Sequence, residues 1–216
     1  MIKIALPKGD VQDPVKNFLE ESGLDISGYH KDARAYASSV KGPAEIFTKQ
    51  FREKDIPIQV SIGNYDVGLC SSQWLAEHLA NYPRADIMNI RTLDIVEGGL
   101  CVCCAASEPE DEPDKILRRM SKAGPVRIAT QFPGLAEDYA LHKRLPDFRI
   151  FPLWGAAEAY PPEGAELAII TVKDELFLIE NSLRIVEKLA PVRISMIANK
   201  RHFENKNLTP VLDKLV

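Results

Sequence analysis

The chain predicts an α/β fold. Three observations carry that prediction. Short β-rich apolar runs alternate with helical patterns along most of the length. Residues 2–24 read as a complete strand, tight turn and helix. At 216 residues, 45% hydrophobic and 27% charged, the chain can bury the core of one large domain or of two small lobes.

The opening unit is the clearest. Ile2, Ile4 and Leu6 mark a buried strand, Pro7-Lys8-Gly9 a turn, and Val15, Phe18 and Leu19 the apolar stripe of a helix that ends near Gly23. Further strands are expected at 45–51, 66–70, 87–91, 99–106, 126–130, 148–153, 167–172 and 192–198, with helices between most of them and largely parallel sheets. Residues 107–114 hold three Glu, two Asp and two Pro, which reads as a surface loop, and Pro113 favours a helix starting just after it. No repeat and no low-complexity tether interrupts the pattern, so any division into lobes must be made by strands that cross between them.

A net charge of −4 with Lys and Glu interspersed disfavours a nucleic-acid surface, which would cluster its basic residues. The apolar stretch at the N-terminus is too short for a signal peptide, and no run is long enough to cross a bilayer, so a cytoplasmic protein with no membrane partner is expected. Cys101, Cys103 and Cys104 lie in one apolar run and Cys70 stands alone. Their spacing does not suit zinc, and alternation sends Cys101 and Cys103 to one face of a strand and Cys104 to the other, which reads as buried free thiols. No metal-ligating residues are assigned.

Three junctions could carry chemistry. At Leu6-Pro7-Lys8-Gly9-Asp10, backbone N–H groups and a lysine can meet an anion, or the turn can simply use the freedom of Gly9. At Gly68-Leu69-Cys70-Ser71-Ser72 a strand ends in hydroxyl residues before a helix, so Ser71 and Ser72 are either an anion seat or an N-cap. In Trp154-Gly155-Ala156-Ala157-Glu158-Ala159-Tyr160-Pro161 one carboxylate stands among small residues, where it can orient ribose hydroxyls, stabilise cationic charge or cap a short helix. His30, His78, His142 and His202 are scattered, and Walker, dinucleotide-binding and nucleophile-elbow motifs are absent.

Taken in order, four segments resemble the ATP phosphoribosyltransferase catalytic subunit family in its short form. They are Ile4-Ala5-Leu6-Pro7-Lys8-Gly9; Arg52-Glu53-Lys54-Asp55-Ile56-Pro57 leading to Gly63-Asn64-Tyr65-Asp66-Val67-Gly68-Leu69; Val126-Arg127-Ile128-Ala129-Thr130-Gln131-Phe132-Pro133; and Gly155-Ala156-Ala157-Glu158-Ala159-Tyr160-Pro161 running to Asn181-Ser182-Leu183. The resemblance implies two lobes of the periplasmic-binding-protein kind (type II) with a ligand cleft between them. It suggests lobe I at 1–93 plus 178–216 and lobe II at 94–177, with crossings near 91–97 and 174–183.

The resemblance also implies an activity. ATP and phosphoribosyl pyrophosphate react with Mg²⁺ to give phosphoribosyl-ATP and pyrophosphate, opening histidine biosynthesis. A histidyl-tRNA-synthetase-like regulatory subunit and a homo- or hetero-oligomer go with it. Glu158 matches the family glutamate before the proline and is the catalytic candidate; Lys8 and Asp66 match family positions. With Gly9, Arg52, Ser71, Ser72, Thr171 and Asp174 these form the expected substrate-binding set.

Asp10 replaces the family's Arg, and Cys70-Ser71-Ser72-Gln73 replaces a Thr-Gly-x-Asp run. In the phosphate loop, Ile170-Thr171-Val172-Lys173-Asp174-Glu175-Leu176-Phe177 has no glycine where the family reads Gly-x-Thr. Asp174 and Glu175 there can hold a metal or sugar hydroxyls, or cap a helix before Leu178. Two functions fit: the transferase, or a divergent paralogue that keeps the ligand site as a binding or regulatory module. An anion is expected at Ser71-Ser72 in preference to the acidic loop.

Overall fold

The computed structural model describes residues 1–31, 37–40 and 45–215, with the side chains of 39 and 40 outside that description. In chain order it has β1 (Ile2–Lys8), α1 (Gln12–Glu21), β2 (Ala37–Val40), β3 (Ile46–Arg52), α2 (Ile56–Ser61), β4 (Val67–Ser71), α3 (Ser72–Asn81) and β5 (Ile87–Leu93). Then come β6 (Gly99–Ala105), α4 (Pro113–Ala123), β7 (Val126–Thr130), α5 (Pro133–His142), β8 (Phe148–Pro152), β9 (Leu167–Val172), α6 (Glu175–Glu180) and β10 (Leu183–Pro191). The chain closes with β11 (Ile194–Asn199), α7 (Lys200–Asn205) and α8 (Thr209–Leu215). Short 3₁₀ turns cover Glu53–Asp55 and Ala157–Ala159.

Two compact units result. One joins Met1–Val96 to Arg193–Val216, and the other is Glu97–Val192. The sequence put the return to the first lobe near 174–183, and this is corrected: Leu183–Pro191 is a strand of the second unit, paired antiparallel with β6. Arg184, Glu187 and Lys188 break its apolar pattern, and the pairing slips between Ile185 and Glu187 and between Lys188 and Ala190. Charges and bulges are how a sheet edge is protected from further pairing, and they hide a strand from a periodicity reading.

The first unit holds a six-stranded sheet in the order β2-β3-β1-β4-β11-β5. β1 runs parallel to β3 and β4, while β11 is antiparallel to β4 and β5 and β2 is antiparallel to β3. Alternation along β1 divides the core. Ile4 and Leu6 meet Val15 and Leu19 of α1 and Val211 and Leu215 of α8, whereas Ala5 meets Ile56 and Val60 of α2 and Leu75 of α3 on the other face.

The second unit holds a five-stranded sheet in the order β10-β6-β9-β7-β8. β7, β8 and β9 are parallel, and β6 opposes β9. Both sheets are therefore mixed rather than largely parallel. On one face Cys101, Cys103, Ala129, Ala168 and Ile170 pack with Ala157 of the 3₁₀ turn and with Phe177 and Leu178 of α6. Cys101 and Cys103 share this face, as alternation predicts. All four cysteines are buried free thiols, and burial pushes Cys103 up to about 12. Among the described residues no helix is long and apolar enough to cross a membrane.

Candidate functional site

Because β1, β3 and β4 run parallel, the residues that follow them emerge at one edge of the first sheet, where open α/β sheets bind ligands. Lys8 ends β1 directly opposite Arg52, which ends β3, so two cations stand side by side. Gly9 follows with φ +98°, a left-handed conformation that lets the chain turn away and that a side chain would oppose. The Gln12 N–H donates to the Gly9 carbonyl at 3.1 Å and closes the turn.

Ser71 and Ser72 lie at the same edge, yet their polar groups are engaged inside the protein. Ser71 donates both its backbone N–H, at 2.8 Å, and its hydroxyl to the Glu53 carboxylate. Ser72 donates its N–H to the Arg193 carbonyl at 2.7 Å, and its hydroxyl accepts the Arg193 N–H at 3.2 Å. This corrects the anion-seat reading: a carboxylate of the chain already sits against the start of α3. Burial raises the Glu53 carboxyl above its usual range, the two Ser71 bonds oppose that shift, and nearby Asp10 adds to it.

Asp66 does not belong with these residues. It precedes β4, so the full length of that strand separates it from Ser71. Buried at 1% exposure, its carboxylate accepts the Lys3 N–H at 2.7 Å and the Lys206 ammonium at 2.5 Å, and His202 Nδ1 lies 2.7 Å away. His202 Nδ1 makes no hydrogen bond there. Asp66 ties α7 to the sheet; it is a structural hub at the wrong end for a shared ligand.

In the second unit, the residues after β7, β8 and β9 likewise come out at one edge. The buried Thr130 binds the three strand ends together: its hydroxyl donates to the Ile169 carbonyl at 2.7 Å and accepts the Phe132 N–H at 2.9 Å, and its carbonyl accepts the Leu153 N–H at 2.8 Å. Beyond β8, Ala156 takes a left-handed conformation (φ 55°) and the buried Ala157 anchors the 3₁₀ turn that carries Glu158. Glu158 is half-buried, and among the described residues no hydrogen bond or ion pair engages its carboxylate.

Asp174 caps α6, with Oδ1 accepting the Phe177 N–H at 2.8 Å. The capping alternative is therefore realised, and the second carboxylate oxygen remains exposed. Thr171 is separated from it. Ile170 and Val172 face the core beneath Ala157 and Leu178, so the intervening Thr171 points to the opposite face of the sheet, away from the turn of Glu158. A cavity of about 690 Å³ opens at this edge, walled by Cys101, Val172, Leu178, Ile185 and Pro191, with Lys173, Asp174, Glu175 and Lys188 contributing charge. Gly98 forms its floor with φ +114°, and a Cβ there would stand 2.6 Å from the Val172 carbonyl oxygen.

The structure thus gathers Lys8, Gly9 and Arg52 in the first unit and Glu158 and Asp174 in the second. It leaves Asp66 and Thr171 outside. Sequence reasoning missed Glu53, whose partner is 18 residues away and carries no local signal. It missed Lys188 because the strand that bears it was not recognised.

Two units with mixed sheets and ligand edges at strand ends define the class of two-lobed, type II binding-protein folds. A TctC solute binding protein from Polaromonas matches with a TM-score of 0.59 at 12% identity, covering 99% of this chain and 81% of that one. A structure titled ATP phosphoribosyl transferase (HisG:HisZ) complex, from Thermotoga maritima, matches with a TM-score of 0.77 at 22% identity over 100% of this chain and 96% of its own. The family model HisG: ATP phosphoribosyltransferase matches residues 52–216, and the chain belongs to that family.

The ATP phosphoribosyltransferase of Listeria monocytogenes is 30% identical over 92% of this chain and 86% of its own length. That of Thermodesulfovibrio yellowstonii is 27% identical over 95% of this chain, which spans 66% of its length.

Proposed function

We propose that this chain is the catalytic subunit of an ATP phosphoribosyltransferase, joining ATP to phosphoribosyl pyrophosphate with release of pyrophosphate at the first step of histidine biosynthesis. Family membership supports the reaction. The observation that carries it to particular residues is the half-buried Glu158 carboxylate, which has no partner among the described residues and follows β8 at the strand-end edge of the second unit.

Adenine N1 displaces pyrophosphate from C1 of the ribose, so positive charge develops on the sugar ring and negative charge on the leaving group. Glu158 stabilises the ring charge, because a fixed carboxylate without a competing partner needs no reorganisation when the charge appears. Lys8, Arg52 and the backbone after Gly9 attract phosphate groups at the edge of the first unit. In the second unit Lys173 and Lys188 supply positive charge where a glycine loop would supply N–H groups.

Mg²⁺ suits the oxygen donors present, namely the exposed oxygen of Asp174 and the Glu175 carboxylate, since this ion is usually held by one or two carboxylates and the substrate phosphates. When bound it neutralises charge on the departing pyrophosphate. The HisG:HisZ pairing named for the Thermotoga structure supports a hetero-oligomer for this chain, and the family resemblance makes its partner a histidyl-tRNA-synthetase-like subunit and its setting the cytoplasm.

The test combines the chain, ATP, phosphoribosyl pyrophosphate and Mg²⁺, with and without such a subunit from the same source, and follows phosphoribosyl-ATP by mass spectrometry. Product should form, and Glu158→Gln should lower kcat by about 10²- to 10³-fold with little change in KM. Ligand binding without turnover in either mixture would favour the binding-module reading instead.

A further inference from the structure

Trp154 is 84% exposed, more than any other large apolar side chain among the described residues. Its neighbours are not free to move it inward. Leu153 is tied to Thr130 through its N–H at 2.8 Å and packs against the core of that face. Three residues after Trp154, Ala157 is fully buried in the same core. Between them Ala156 holds a left-handed backbone that residues other than glycine adopt rarely and keep where the surroundings fix it. A largely exposed indole is thus carried on a fixed segment, four residues before Glu158.

We propose that Trp154 is the stacking platform for the purine ring of the nucleotide substrate and so a specificity-determining residue. This rests on the transferase reading above. An indole offers a flat π surface that any base can cover, and base stacking on aromatic side chains is a recurrent source of affinity with no hydrogen-bond code. Its place among the segments that follow β7, β8 and β9 puts it at the ligand edge, where a protein-docking tryptophan would have no reason to share a short segment with a carboxylate that meets no partner among the described residues.

The test is calorimetric titration of the chain with ATP and Mg²⁺, with and without saturating phosphoribosyl pyrophosphate, beside inorganic triphosphate as a probe that lacks the base. Trp154→Ala should weaken ATP about 10- to 100-fold and leave triphosphate and phosphoribosyl pyrophosphate unchanged, while Trp154→Phe stays within a few fold of the parent. ATP should also change the indole fluorescence of the parent and not that of Trp154→Phe. Equal weakening of ATP and triphosphate would show a merely structural role and overturn the proposal. Unchanged ATP affinity, with or without a shift in oligomeric state on removing the indole, would overturn it while leaving the transferase reading intact. Failure of the parent chain to bind ATP under any of these conditions would defeat both.

Discussion

Glu53 and Ser71 are joined across the end of another strand. Glu53 follows β3 and Ser71 ends β4, and β1 lies between those two in the sheet. The carboxylate nevertheless accepts both the N–H, at 2.8 Å, and the hydroxyl of Ser71. The contact closes the start of α3 with a charge the chain supplies itself, beside the edge where Lys8 and Arg52 stand. A carboxylate there opposes a phosphate at α3, and it favours the Lys8 and Arg52 side for any anion the first unit binds.

That geometry fixes a pH dependence. The Glu53 carboxyl is raised above the usual 4.5 by burial, against the pull of the Ser71 bonds. The folded state therefore holds this proton to higher pH than the unfolded chain does. The resulting stability is complete below the unfolded value and is lost as pH rises through the folded one. Glu53→Gln keeps an acceptor for Ser71 without the charge. Its stability relative to the parent should rise as pH increases from about 4 to 7, measured by urea denaturation at each pH. Glu53→Ala leaves two buried donors unsatisfied and should cost about 1–3 kcal/mol at all pH values.

Asp66 should behave as a stability residue and not as a substrate ligand. Replacing it with Ala strands the Lys3 N–H and breaks the half-exposed Lys206 pair, a combined loss of about 3 kcal/mol, most of it from the backbone donor. In a chain of this size that lowers Tm by roughly 6–12 °C. Thermal unfolding monitored by circular dichroism checks the first part. KM for both substrates, measured on folded protein well below Tm, should stay within about threefold of the parent; a selective rise in one KM would return Asp66 to the binding set.

Asp174 caps α6, and substitution can separate that job from the Mg²⁺ role proposed for it. Asn caps a helix about as well as Asp, so Asp174→Asn should leave stability within about 0.5 kcal/mol. It removes an ionised oxygen from the cavity edge, and pyrophosphate binding in the presence of Mg²⁺ should weaken by about tenfold. Asp174→Ala should show the same weakening plus about 1 kcal/mol of lost stability. Calorimetry and denaturation on the pair distinguish the outcomes. If Asn binds Mg²⁺ and pyrophosphate as tightly as the parent does, Asp174 is a cap and nothing more.

Local pattern alone was enough for the α/β class, for the strands at 126–130 and 167–172, and for the two faces of the cysteine strand, because periodicity is a property of neighbours in the chain. It was enough to end β1 near Lys8 and Gly9, while Arg52 entered the expected set through the family resemblance. It could not separate two roles for Ser71 or Asp174, because each side chain has more than one use open to it, and Asp66 joined the binding set by resemblance alone. Contacts from far along the chain made the choice for Ser71 and Asp66: Glu53 for the first, and Lys3 and Lys206 for the second. β10 was lost for a related reason. Its charged residues are tolerable only on a sheet edge, and being an edge is a fact about the other strands. The sequence by itself determined most of the elements that form and the residues that end them; the tertiary structure decided which polar groups are engaged, as Ser71 and Asp66 are, and which, like Glu158, meet no partner among the described residues, because such contacts join positions far apart in the chain.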